Sequence, residues 1–92
     1  MPEFLVELYV PRGGGEAVAR SVRLARLAAG ELSREGRAVQ CLRSIFVPDD
    51  ETCFLLYEAA SADDVVEAAR RASLSFDRVA LAVAGCVGEE ES

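Results

Sequence analysis

The sequence predicts an α+β domain whose elements run in the order β-α-β-β-α-β, and three patterns carry that prediction. Near the two ends, PEFLVELYVP and DRVALAVAG alternate at a period of two, which is the mark of strands. Between Glu16 and Glu35, and again after Ser61, apolar residues recur every three or four positions, which is the mark of amphipathic helices. In the middle, QCLRSIFVPDDETCFLLYEAAS holds two apolar runs separated by an acidic turn, the pattern of a hairpin.

Each element follows from its residues. The first strand alternates Phe4, Val6, Leu8 and Val10 with Leu5, Glu7 and Tyr9, and Pro11 ends it. RGGG breaks the chain; without the spacing and lysine of a phosphate loop it reads as a flexible connection into a helix. That helix buries Val18, Val22, Ala25, Ala29 and Leu32, with Leu24 and Leu27 on its flank, and Gly36 stops it. A second strand is expected over Ala38–Val47 and a third over Thr52–Ala59, joined by PDDE, in which Pro48 presets the turn. Ser61, three residues before Asp64, caps a second helix that runs to about Ser73 with Val65, Ala68, Ala69 and Ala72 inward. The last strand puts Val79, Leu81 and Val83 on one face and Ala80, Ala82 and Ala84 on the other.

Two crossover units flanking a hairpin make a ferredoxin-like βαββαβ fold, a four-stranded antiparallel sheet with both helices on one face. The domain is expected over residues 1–86, followed by an acidic disordered tail at 87–92. Two helices cover one side of such a sheet, so a solitary monomer needs a polar second side. Pairing Val47 with Thr52 instead sends Cys41, Arg43 and Ile45 to that open side with Phe54, Leu56 and Glu58. Leu5, Glu7 and Tyr9 join them from the first strand, giving an apolar face around Glu7, Arg43 and Glu58. So much apolar surface points to a homodimer packed sheet against sheet around a partly polar cavity.

Composition narrows the chemistry. All ten basic residues are arginine and His is absent, which removes the commonest general base and the commonest transition-metal ligand. The net charge of -6 disfavours nucleic acid. It is unevenly distributed, with six arginines between Arg12 and Arg37 and a strongly acidic chain after Ser44. Cys41, Cys53 and Cys86 sit in apolar runs without a CxxC pair and read as buried free thiols in a reducing compartment. With no apolar run of membrane-spanning length and no signal-like N-terminus, the expectation is a soluble cytoplasmic protein without a membrane partner.

The LVE segment around Glu7, LRS around Arg43, CFLLYEA through Glu58 and AARRASLSFDRV together resemble a small bacterial ferredoxin-like family known as nickel-binding, once catalogued as a domain of unknown function. The resemblance spans about residues 3–80 and implies a dimer of βαββαβ subunits and a nickel site. It assigns no metal ligand to a numbered position. On chemical grounds Glu7, Cys41 and Glu58 are the candidate metal ligands, and Glu7, Tyr9, Arg43 and Glu58 the candidate ligand-binding set. The expected function is a small binding protein that takes nickel or another divalent metal as a homodimer. The alternative is a dimeric α/β barrel that binds or transforms an anionic organic molecule, with Glu7 or Glu58 as base, Arg43 holding the anion and Tyr9 as proton donor. No catalytic residue is assigned. A third reading makes Arg43 and Glu58 an ordinary cross-strand ion pair with no function beyond the fold.

Overall fold

Period-two alternation divides β1 (Glu3–Tyr9) into Phe4, Val6 and Leu8 on one side and Glu3, Leu5, Glu7 and Tyr9 on the other. In the computed structural model, which describes residues 1–83, the first set is buried and the second is partly or fully exposed. The remaining elements are α1 (Gly15–Arg34), β2 (Val39–Val47), β3 (Thr52–Ala59), α2 (Ala62–Arg71) and β4 (Phe76–Ala82). All strand pairs are antiparallel in the order β2-β3-β1-β4, so β1 and β3 are central, as a ferredoxin-like fold requires. The expected acidic tail lies outside the described residues. Among the described residues no helix is long and apolar enough to cross a membrane.

Local chemistry fixes the helix ends. Gly14 precedes α1 where a Cβ would stand 2.6 Å from a Val10 methyl and 2.9 Å from the Pro11 carbonyl oxygen, so the connection tolerates no side chain there. Gly36, at φ +92°, ends α1 in a left-handed turn, with the Arg37 N–H donating to the Leu32 carbonyl and the Gly36 N–H to that of Ser33. α2 ends the same way through Ser73, at φ 59°, and starts with the Ser61 Oγ accepting from the Asp64 N–H at 3.4 Å. At the α1 terminus Ser33 Oγ donates to the Val39 carbonyl at 2.9 Å and accepts from the Val39 N–H at 3.2 Å, which clips the helix to the first residue of β2.

Both helices bury the faces that the periodicity selects. Val18, Ala25, Ala29 and Leu32 of α1 and Val65, Ala68 and Ala69 of α2 close over Val6, Cys53, Leu55 and Tyr57, while Leu24 and Leu27 stay exposed. At the helices' outer edge Arg71 bridges Glu35 at 2.7 Å and Glu67 at 3.0 Å, and Arg37 meets Asp64 at 2.8 Å. Hydrogen bonding to Arg71 holds the Glu35 carboxyl below its ordinary value. Pairs this exposed are screened by water, so they orient α2 against α1 more than they hold the fold.

The hairpin register is the expected one at its turn end, with Val47 opposite Thr52, Ile45 opposite Phe54 and Arg43 opposite Leu56. Beyond Arg43 it changes. Cys41 pairs with Tyr57, so Leu42 is an extra residue and β2 carries a β-bulge. The expectation that Cys41 shares the open face with Arg43 and Ile45 is therefore corrected: the bulge turns Cys41 under the helices, where it is 5% exposed beside buried Val39. β4 carries a matching irregularity at Asp77, between the partners of Glu7 and Leu8.

Among the described residues Tyr57 is the largest fully buried side chain, and its hydroxyl has no hydrogen-bond partner there. Burial pushes its ionisation upward, so the group stays a neutral phenol. An unpaired buried hydroxyl costs about 1–3 kcal/mol relative to its hydrated state. Tyr57→Phe keeps the ring and removes that penalty. Urea unfolding is expected to show the variant at least as stable as the parent, by up to about 1 kcal/mol.

Candidate functional site

The open face is a grid fixed by the strand registers. One row across the sheet reads Gln40, Glu58, Glu3 and Ala82; the next reads Arg43, Leu56, Leu5 and Ala80; the third reads Ile45, Phe54, Glu7 and Arg78. Val47, Thr52 and Tyr9 form the row at the turn end. Its centre is apolar, with Leu5, Phe54 and Leu56 partly exposed and Ile45 51% exposed at the edge strand.

The grid separates the charges that sequence reasoning had grouped. Glu7 stands opposite Phe54, and its carboxylate meets Arg78 of β4 at 3.2 Å. Glu58 stands two rows from Glu7 on the neighbouring strand, roughly 14 Å away from strand spacing and rise. Arg43, opposite Leu56, has no carboxylate within ion-pairing distance among the described residues, so the Arg43 and Glu58 cross-strand pair does not form. Tyr9 is 61% exposed at the far end of the face. Glu7, Tyr9, Arg43 and Glu58 thus share one surface without converging on one point, and Cys41 lies on the opposite side of the sheet.

Two residues absent from that earlier set matter more. Arg78 is the ion-pair partner of Glu7, which was expected to cluster with Arg43 and Glu58. Glu3 is directly opposite Glu58, which places two carboxylates side by side with Cβ atoms about 4.5–5.5 Å apart. Among the described residues neither has a cation within ion-pairing distance, and Gln40 flanks Glu58 on the other side. Parity held the signal for both residues, since Glu3 continues the Leu5, Glu7, Tyr9 alternation and Arg78 continues that of Ala80 and Ala82.

Donor chemistry follows from the same geometry. The free thiols Cys41 and Cys53 are buried, and burial pushes both upward, so they remain protonated on the helix side. Cys86 lies outside the described residues. What the open face offers a cation is oxygen: two adjacent carboxylates, a third carboxylate already held by Arg78, and an amide at Gln40. No group of three His, Cys, Asp or Glu side chains gathers within one chain among the described residues.

A sequence profile for nickel responsive protein SCO4226-like matches residues 4–81. The chain belongs to the SCO4226-like family. That match covers every strand and both helices, apart from the edges of β1 and β4, so family membership rests on the whole fold and not on one motif. No curated protein and no solved structure matches the chain significantly.

Like charges directly opposite on adjacent strands oppose folding by about 0.2–1 kcal/mol. Replacing one of them is therefore expected to stabilise the metal-free protein. Glu58→Gln should raise the thermal midpoint in chelator-treated buffer, and an unchanged or lowered midpoint would mean that the two carboxylates are already kept apart.

Proposed function

We propose that this chain is a small divalent-cation-binding protein, with nickel as the ion its family description points to, and that it acts as a homodimer packed sheet against sheet. The observation that carries the proposal is the pair Glu3 and Glu58, two adjacent carboxylates without a counter-ion among the described residues, at the border of an apolar face. An apolar surface of this kind is stabilised by cover, and a two-fold interface lets the same surface cover itself. Under such symmetry one Glu3, Glu58 pair is joined by another, giving up to four carboxylates and supplying the third and fourth ligands that one chain lacks.

Nickel accepts carboxylate and water oxygens, although imidazole and thiolate are its stronger partners. The fit is therefore to an oxygen-rich, exchangeable site and not to a tightly held structural ion. Glu7, engaged by Arg78, serves as a reserve carboxylate whose release depends on that arginine. Tyr9 and Arg43 border the enclosed space, where Arg43 balances the carboxylate charge. Cys41 is not a ligand in this arrangement. Two buried free thiols support a reducing, cytoplasmic setting.

Calorimetry with nickel chloride on the purified protein is expected to give saturable heat. The double variant Glu3→Gln with Glu58→Gln is expected to weaken uptake at least tenfold, which is about 1.4 kcal/mol. Heat indistinguishable from dilution at millimolar nickel overturns the metal reading. Sedimentation velocity at tens of micromolar reports separately on the dimer, and a monomer alone at that concentration removes the sheet-to-sheet arrangement.

A further inference from the structure

The helix-covered side of the sheet has its own concavity, on the opposite face from the paired carboxylates. Between α1 and the edge strand β2 lies a cleft of about 460 Å³ whose buried members are Ala29, Val39 and Cys41 and whose exposed members include Arg26 and Gln40. That volume falls in the range of small-molecule sites, roughly 300–1,000 Å³. The bulge residue Leu42 also lines it, so the cleft owes part of its wall to the irregularity in β2.

Three features distinguish this cleft from an accident of packing. Gly30 lines it from the middle of α1, where glycine is destabilising by about 0.5–1 kcal/mol relative to alanine. No backbone constraint calls for glycine there, because a Cβ at position 30 would meet only the Arg34 guanidinium, at 3.6 Å. The absent side chain keeps the space open. Next, no carboxylate among the described residues lines the cleft, although the chain carries a net charge of -6. Finally, Arg26 has no ion-pair partner among the described residues, and its charge reaches the Cys41 sulfur at the cleft wall, partly offsetting the upward push of burial.

We infer that this cleft is a binding site for a small organic monocarboxylate, with Arg26 holding the carboxylate and the Ala29, Val39 and Leu42 wall holding a short apolar body. Guanidinium and carboxylate match in a two-pronged hydrogen-bonded pair, which a neutral analogue cannot form. Ser33 Oγ is committed to the Val39 backbone and holds the wall in place.

Sodium benzoate is a suitable probe, with benzyl alcohol as its neutral counterpart, followed by amide proton and nitrogen shifts of the full chain. Saturable shifts at Gly30, Gln40 and Leu42 are expected for benzoate, with benzyl alcohol and the Arg26→Gln variant each at least tenfold weaker. Gly30→Leu is expected to fill the cleft and abolish the shifts while the protein stays folded, as its unchanged spectrum elsewhere would report. Glu58→Gln is expected to bind benzoate as the parent does, which separates this site from the nickel reading. Equal binding of benzoate and benzyl alcohol, shifts centred on Leu5 and Leu56, parent-like binding by Gly30→Leu, or no saturable shift at about 10 mM benzoate would each overturn the assignment.

Discussion

A four-stranded sheet has two faces, and this chain supplies helices for one. Every alternate residue of β1 and β3 is therefore committed to a core beneath α1 and α2, and its neighbours are committed to the other side. That other side holds Leu5, Phe54, Leu56 and Ile45, more apolar surface than a solvated face needs. Burial is contiguous on the covered side, from Phe4 and Val6 through Leu55 and Tyr57 to Val65 and Leu32, so the fold itself needs nothing from the open side. The open side is free to be shaped by a second copy or a ligand, and its charges are arranged by strand register alone.

The bulge at Leu42 decides which chemistry reaches which face. With strict alternation Cys41 would follow Arg43 outward and bring a sulfur donor beside Glu58. One extra residue turns it inward, where burial keeps the thiol protonated and the Arg26 charge partly offsets that push. The open face is left with oxygen donors, and the cleft against α1 gains a thiol and an apolar wall. A single inserted position thus separates a carboxylate surface from an arginine-bordered one. Oxygen-only coordination of a soft-to-borderline ion is weaker than mixed nitrogen and sulfur coordination, in keeping with the exchangeable site proposed above.

Most of the architecture was legible because its signals were local. PDDE fixed the turn and with it the Val47 to Thr52 pairing, Ser61 announced the start of α2, and Gly36 announced the end of α1. The bulge left no such trace. CLRSIFV is apolar on both sides of the strand, so a change of parity alters no obvious hydrophobic pattern, and no glycine marks the insertion. The partner of Glu7 was missed for a different reason. Arg43 is near in the hairpin's own logic, whereas Arg78 reaches Glu7 only because β1 is central and pairs with β4, a long-range consequence of topology. Glu3 was missed at the strand's frayed first position, although it has the same parity as Glu7.

Charge placement then follows one geometrical rule on both sides of the sheet. α1 carries Arg20, Arg23, Arg26 and Arg34 outside its buried stripe, and Arg26 is the one whose position on the helix brings it to the edge of β2. On the open side, acids from β1 and β3 meet because these strands are adjacent and antiparallel, so Glu3 and Glu58 face each other at one end of both strands. Acidic side chains are thus paired on one side of the sheet, while an arginine unpaired among the described residues borders the cleft on the other. The strand that connects them is β2, whose bulge touches the cleft and whose Gln40 and Arg43 border the carboxylate face. The same edge strand thus contributes both to the cleft wall and to the border of the carboxylate face.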